Sequence, residues 1–466
     1  MSIHPDGLAD VEDLLAIAEC RAAGGAQPVG DPPALPEAPG RRARRKATRN
    51  TKRAARRGAR ARQPIRRAVR RVALTSVGLA VAVVGWSVAG ALTAPGTDSV
   101  AARLAEWTRD HGGTPIINFA ERMAYTPPKV GGTPAGGIVV AEAGARSIPG
   151  PDANGAGPRL PPHAGPPVPK AGPWLPGTEP ATPPPVPSGP RALPDPAAIV
   201  PIAADALPDE GVWQVLESSG GQPVLRATFL RADAVYTSYL SGVAWLDTHL
   251  LRFELHPGTS EPGGGPWPLG ASIPPAARGD VVAAFNSAFR LADARGGYYA
   301  GGRTAGTLRD GAATIAFYTD GSVNVGQWGR DVVMGDTLAA ARQNLDLIVD
   351  DGAVSPRIDD NSGNRWGATL GNDLYVWRSG VGVTATGALV YATGPRLSAS
   401  SLARLLVRAG AVRAMELDIN PQWTTFIHYT STPEGSVPAK LLPNMNRPAT
   451  LYDSTSSRDF VVARTR

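Results

Sequence analysis

The feature that most constrains this chain is an uncharged run of 23 residues, from Val72 to Ala94. Coiled as an α-helix with a rise of about 1.5 Å per residue, the run measures roughly 34 Å, which is enough to cross a bilayer. A secretory signal peptide also places an apolar run behind a basic region and ahead of small residues. The seventy residues in front of the run disfavour this alternative, so we expect a transmembrane helix over 72–94.

Positive charge is concentrated on one side of this run. Residues 41–71 contain sixteen basic residues and no acidic one, and the first residues after the run are uncharged. Loops rich in Lys and Arg stay on the cytoplasmic side of a membrane. The sequence therefore predicts a single-pass protein of the cell membrane, with its N-terminus in the cytoplasm and its C-terminal domain outside.

The basic segment 41–71 also bears on the choice of partners. It lacks the interleaved aromatic side chains that stack on nucleobases, which disfavours nucleic acid. Its place beside an apolar helix favours anionic lipid, while 72–94 contacts the lipid bilayer itself. We expect residues 1–71 to form a disordered cytoplasmic tail, although 9–20 has a pattern that would also suit a short helix docking a cytoplasmic partner.

Two compositional features describe the region after the run. Residues 95–125 have the pattern of an amphipathic helix followed by a short extended piece, next to the membrane. Residues 126–200 are rich in proline and glycine, with 13 prolines between Pro161 and Pro190. Such a segment favours polyproline II and packs no core, so we interpret it as a linker or stalk. The only cysteine is Cys20, so no intramolecular disulfide can form. An exported domain without cysteine suggests a bacterial envelope protein.

Residues 201–466 have the pattern of a folded domain. Short apolar runs alternate with Gly, Asp and Asn, which predicts many strands and few helices. Helical spacing occurs at 336–345 and 398–408, the second with Ser398 as N-cap and Gly410 after its end. Turns are expected at 319–322 and 393–395. The predicted fold class is α+β, with mainly antiparallel sheet and a few helices.

A candidate catalytic segment follows Ala414. Alternation along a strand would direct Met415 and Leu417 into the core and leave Glu416, Asp418 and Asn420 on the opposite face. Two carboxylates would then lie about 7 Å apart, a separation at which glycosidases divide acid and base roles. A solvated polar face is the alternative interpretation.

Two further segments carry polar groups at strand ends. Asn286 follows a buried-type strand, where it would serve either as a ligand group or as a turn residue. Arg378 precedes flexible glycines and suits bidentate binding of an anion, unless it is an ordinary surface arginine. The pairs Asp310-Gly311 and Asp350-Asp351-Gly352 are typical of turns, and a divalent cation is the alternative. We predict no obligatory cofactor and name no metal ligand.

Taken in order, these segments resemble the phosphodiester glycosidase family, which includes the uncovering-enzyme domain, over residues 205–466. An Asn-Gly-Gly-Phe-Phe-like motif corresponds to Asn286–Arg290, and an Arg-Thr/Ser-Ala-Leu-Gly-like motif to Arg378–Gly382. A Leu-Asp-Gly-Gly-Gly-Ser-like motif matches Leu417-Asp418 and then changes to Ile-Asn-Pro-Gln-Trp, which resembles a bacterial subgroup. The late Asn-Arg-Pro is present at 446–448.

The resemblance implies an extracytoplasmic hydrolase that cleaves a sugar-1-phosphodiester. It implies roles for Asn286, Arg378 and Asp418, and the strand alternation adds Glu416 as a second carboxylate. In this interpretation Asp418 and Glu416 are catalytic, while Asn286, Arg378 and Asn420 bind substrate, a glycan or sugar phosphodiester. The alternatives are a catalytically inactive module that binds an envelope polymer, and a scaffold whose cytoplasmic tail is the working end.

Overall fold

The computed structural model describes residues 41–94, 98–134, 137–138, 146–147, 191–369, 375–433 and 435–466. The acidic part of the predicted tail and most of the predicted stalk lie outside these residues. The helices are α1 Arg41–Thr93, α2 Val100–Asp110, α3 Thr114–Ala124, α4 Leu291–Ala294 and α5 Ala399–Arg408. The strands are β1 Arg146–Ser147, β2 Gln214–Ser219, β3 Gln222–Leu230, β4 Ser241–Leu246, β5 Leu251–His256, β6 Val281–Asn286, β7 Tyr298–Ala300, β8 Arg303–Ala305, β9 Ala313–Tyr318, β10 Val323–Gln327, β11 Leu338–Gln343, β12 Leu347–Asp350, β13 Ala353–Val354, β14 Val376–Thr384, β15 Leu389–Leu397, β16 Ala411–Glu416, β17 Phe426–Thr432, β18 Gly435–Lys440 and β19 Phe460–Thr465.

Helix α1 contains the predicted membrane span. Among the described residues, Arg71–Thr93 is the one helix long and apolar enough to cross a membrane. The helix begins at Arg41, so the basic segment 41–71 is helical and continuous with this span. Alanine and arginine are strong helix formers, and extending an existing helix costs less than nucleating a new one.

Three antiparallel sheets form the C-terminal domain, which confirms the predicted α+β class. The largest has nine strands in the order β1-β2-β3-β4-β15-β14-β16-β12-β13. The other two have five strands each, β10-β9-β11-β7-β8 and β18-β17-β6-β19-β5. Apolar side chains from all three sheets, among them Phe285, Phe317 and Met415, share one buried core. The three sheets therefore fold as one domain.

Helix α5 covers the outer face of the nine-stranded sheet through Leu402, Leu405 and Leu406. Its boundaries confirm the sequence prediction. The Ser398 hydroxyl oxygen accepts a hydrogen bond from the Ser401 backbone N–H at 3.0 Å and so caps the first turn.

Two local predictions are wrong. Residues 336–345 were expected to be helical, yet Leu338–Gln343 form β11, hydrogen-bonded to β9 and β7. The turn expected at 393–395 lies inside β15, where Gly394 pairs with Arg378 and the register shifts by one residue before Leu397 pairs with Val376. A short apolar run is compatible with either a helix or a strand. Hydrogen bonding of 338–343 to a neighbouring strand on each side stabilises the strand. The turn at 319–322 is confirmed, with Gly321 at φ +80° between β9 and β10.

The domain begins earlier than position 201. Leu193 and Ile199, expected in the linker, are buried against the outer face of the nine-stranded sheet. The Leu193 backbone N–H donates to the Asp247 carboxylate at 2.8 Å. The segment 95–125 also differs from the prediction, since its second half forms α3 instead of an extended piece. Gly112, at φ +80°, separates α2 from α3.

Candidate functional site

Asp418 lies just beyond the end of β16, where the nine-stranded sheet meets β6. Its backbone N–H donates to the Ser287 carbonyl at 3.2 Å, and its carbonyl accepts from the Ser379 and Thr424 hydroxyls at 2.8 and 3.1 Å. One carboxylate oxygen accepts from the Asn420 backbone N–H at 2.8 Å. These bonds fix the residue from several segments and leave its side chain 6% exposed at the wall of a cleft.

The amide of Asn286 organises the wall behind Asp418. Its Nδ2 donates to the Ser379 hydroxyl and to the Ser287 carbonyl, both at 3.0 Å. Its Oδ1 accepts from the Tyr391 hydroxyl at 2.8 Å and from the Thr425 backbone N–H at 3.0 Å. Both amide hydrogens and both acceptor positions are therefore in use. The Asn286 amide is thus fully occupied by protein groups, whereas the sequence suggested a substrate ligand.

Glu416 and Arg378 form a buried ion pair. Arg378 is 2% exposed and also donates to the carbonyls of Trp366 and Leu397, at 3.1 and 3.0 Å. Glu416 is fully buried, and burial raises the pKa of its carboxyl, against the opposing effect of Arg378. Met415 and Leu417 enter the core as predicted, so the strand alternation itself is correct.

This placement corrects the expected arrangement of the site. Glu416 was expected to face the same open surface as Asp418, and Arg378 to hold an anion. Their side chains instead form an ion pair inside the protein, because an isolated charge there would be far more costly than a paired one. Of the predicted catalytic and binding residues, Asp418 and Asn420 line the main cleft.

The cleft beside Asp418 has a volume of about 600 Å³. One wall is the segment Ile419 to Trp423, and the opposite walls carry Phe289, Arg290 and Arg458. The last residues of α2, including Asp110, close one side. Arginines and aromatic groups thus lie around the Asp418 carboxyl, and Asp110 and Asp293 also line the cleft, an arrangement that suits a polar substrate with a sugar face.

The segment after Asp418 takes a tight turn. The Trp423 backbone N–H donates to the Asn420 carbonyl at 2.8 Å, and the Gln422 N–H donates to the Asn420 side-chain oxygen at 2.9 Å. Trp423 is 5% exposed, and the guanidinium groups of Arg447 and Arg458 lie 5.2 and 5.0 Å from its ring centroid. The tryptophan therefore supports the arginines by cation–π contact, where a glycine loop would leave open space.

Burial sets the proton affinity of Asp418. Loss of solvent raises the pKa of its carboxyl to about 6, although Arg458 and the Asn420 backbone N–H favour the charged form. The charges of Glu106 and Asp459 raise the pKa further. A carboxyl with this pKa changes its charge within one unit of neutral pH, which is the range required of an acid or base catalyst.

Sequence reasoning did not assign functional roles to Arg290, Trp423 or Arg458. Arg290 ends the Asn286 segment, and Trp423 ends the altered loop, so both stood inside motifs already noted. Arg458 precedes β19 without any local pattern. Only the meeting of three distant segments at Asp418 gives these residues a shared environment.

The two Asp-Gly segments that the sequence offered as alternative cation sites form turns. Gly311 and Gly352 have φ of +79° and +69°, and the Asp350 carboxylate pairs with Arg330 at 2.7 Å. The described residues contain no group of three or more His, Cys, Asp or Glu side chains placed to hold a metal ion.

Comparison with known proteins gives fold likenesses only. No protein-family model matches the sequence, and no curated protein matches it. Among solved structures, the catalytic domain of zebrafish N-acetylglucosamine-1-phosphodiester alpha-N-acetylglucosaminidase, auto-inhibited by its pro-peptide, has a TM-score of 0.35 and 14% identity, covering 55% of this chain and 87% of that one. A hypothetical protein from Synechocystis has a TM-score of 0.30 and 11% identity over 53% and 63% of the two chains. An exported protein from Burkholderia pseudomallei has values of 0.24 and 10% over 50% and 75%.

We predict that Asn286→Ala destabilises the full-length protein by about 2–4 kcal/mol, because it leaves buried donors and acceptors without partners. The midpoint of urea unfolding in detergent micelles, followed by tryptophan fluorescence, measures the change. Asn324→Ala is the matched control, since this amide is half-buried and makes longer contacts of 3.2 and 3.5 Å. Equal losses in the two variants would contradict the organising role of Asn286.

We also predict that Asp418→Asn stabilises the folded protein at pH 8. A native pKa of about 6, against an ordinary 3.8, means that folded Asp418 resists ionisation. Stability is therefore lost as pH rises through this interval, by about 3 kcal/mol in total. The gain in the variant should be largest at pH 8 and mostly vanish at pH 4. A pH-independent difference between variant and wild type would show that the aspartate is not perturbed.

Proposed function

We propose that the folded domain hydrolyses a sugar phosphodiester, with Asp418 as the general base. The observation that carries the proposal is the nearly buried Asp418 carboxyl, with a pKa of about 6, at the wall of a cleft that also contains arginines. The motif resemblance around Asn286, Arg378 and Leu417-Asp418 supports the same reaction class.

The reaction follows from the chemistry of the leaving group. A phosphate monoester departs from the anomeric carbon as a weakly basic anion, so it needs charge stabilisation more than a proton. The demanding proton transfer is from the attacking water. Water adds its oxygen to the anomeric carbon and gives its proton to Asp418, while the bond from carbon to phosphate oxygen breaks and its electron pair leaves with the phosphate.

The remaining residues hold this geometry. Asn286 and Ser379 fix the Asp418 backbone, and the Arg378–Glu416 pair braces β14 against β16. Asn420 and Trp423 form the wall that faces the sugar. Asn286, Arg378 and Glu416 therefore act through Asp418 in this proposal, whereas Asn420 lies where it can contact the sugar.

Hydrolysis of N-acetylglucosamine-1-phosphodiesters and related sugar phosphodiesters by the full chain in detergent micelles tests the proposal. Asp418→Asn should reduce kcat by at least about 100-fold, since general bases contribute on the order of 10²–10⁴. Asp360→Asn, a surface change of the same type, should leave kcat unchanged. Activity of the wild type should rise as pH increases through about 6, because the base must be ionised.

Two results would overturn this assignment. Activity that falls as pH rises through 6 would assign Asp418 the role of an acid. No turnover on any sugar phosphodiester, combined with retention on an envelope polymer, would favour a binding module over a hydrolase.

We further propose that α1 anchors the protein with its N-terminus in the cytoplasm. Because Cys20 is the only cysteine, a membrane-impermeant maleimide should fail to label the wild type in intact cells and should label it after permeabilisation. Moving the cysteine to an exposed position of β8, as Thr304→Cys in a Cys20→Ser background, should give labelling in intact cells. Labelling of Cys20 in intact cells would show that the N-terminus lies outside and would contradict the proposed orientation.

A further inference from the structure

Helix α2 is attached to the walls of the cleft by carboxylates. Glu106 pairs with Arg458 at 2.9 Å, Asp110 pairs with Arg290, and Asp98, just ahead of the helix, pairs with Arg447 at 2.6 Å. Glu106 and Asp110 are four residues apart, so both project from one face of the helix. Both of these arginines line the cleft beside Asp418.

A smaller cavity below Asp418 holds donors that no described residue satisfies. Ser287, Arg458 and Asp418 line it together. The Ser287 hydroxyl, on a residue that is 1% exposed, has no hydrogen-bond partner in the described part of the chain, and neither has Nη1 of Arg458. Buried donors are usually satisfied, and the cavity beside these two measures about 10 Å³, which admits one oxygen-sized group.

Carboxylate and phosphate oxygens make the same planar contacts with a guanidinium group. We propose that Arg290 and Arg458, with Ser287, form a subsite for a phosphate-type oxyanion, and that Glu106 and Asp110 of α2 occupy this subsite in place of the ligand. This deepens the proposed function, on which it rests for the identity of the substrate, by assigning the phosphate to these residues and not to Arg378. Binding at the subsite does not require turnover.

The arrangement has a consequence for α2. An oxyanion and the α2 carboxylates compete for the same guanidinium hydrogens. Binding of the oxyanion must therefore weaken the attachment of α2, and the attachment of α2 must weaken oxyanion binding. Phosphate should therefore loosen α2, and neutralising the two carboxylates should strengthen phosphate binding. A helix docked for structural reasons alone would show neither effect.

Calorimetric titration of the full chain in detergent micelles with inorganic phosphate, at fixed ionic strength, tests the subsite. The double variant Glu106→Gln/Asp110→Asn should bind phosphate at least about 10-fold more tightly than wild type. The matched control is Asp331→Asn/Asp350→Asn, which removes two negative charges from the partners of Arg330 and should bind as wild type does. Wild type should also show faster amide hydrogen exchange over 100–110 when phosphate is added.

Two further variants locate the binding. Arg290→Gln, at a partly exposed position, should abolish the gain when added to the Glu106/Asp110 double variant. Arg458→Lys keeps the charge but loses the planar fork, and should reduce the gain several-fold. Equal affinity in the double variant and its control would overturn the proposal, as would tight binding that survives Arg290→Gln. Phosphate binding with the expected pattern but no hydrolysis would refute the proposed reaction and leave the subsite intact.

Discussion

The side-chain amide of Asn286 is the contact on which the site depends. It ends β6 in one sheet and bonds to Ser379 and Tyr391 in another, as well as to the backbone of Thr425. All four hydrogen-bonding positions of a buried amide are used, so a shift of either sheet would leave polar groups unsatisfied. Asp418 is placed by the same network, because the Ser379 hydroxyl that accepts from Asn286 donates to its carbonyl.

Two carboxylates near the end of β16 have opposite environments. Glu416 has a guanidinium partner and lies inside the protein, whereas Asp418 has a backbone N–H and opens onto the cleft. Alternation along the strand correctly placed Met415 and Leu417 in the core. It could not tell a buried polar face from an open one, since that depends on Trp366 and Leu397, which approach Arg378 from other segments.

Acidic side chains in α2 and just ahead of it attach the segment after the apolar helix α1 to the domain. Asp98, Glu106 and Asp110 reach arginines that are 180 to 352 residues away along the chain. The Asp98–Arg447 and Glu106–Arg458 pairs are partly buried, whereas the Asp110–Arg290 pair is exposed and is more strongly screened by solvent. The amphipathic pattern of this segment predicted a helix near the membrane, but no periodicity identifies the surface that such a helix covers.

Local sequence patterns were enough to predict the apolar helix, the α+β class and the capped helix after Ser398, and they selected the Asn286 and Asp418 segments as a candidate site. Each of these depends on local spacing, local charge or a short motif, which a linear pattern contains. Tertiary structure alone decided that 338–343 is a strand, that Arg378 is paired and buried, and that Arg290 and Arg458 meet Asp418. Burial and pairing depend on groups brought together from distant parts of the chain, and free energies of desolvation are set only once those groups are in contact.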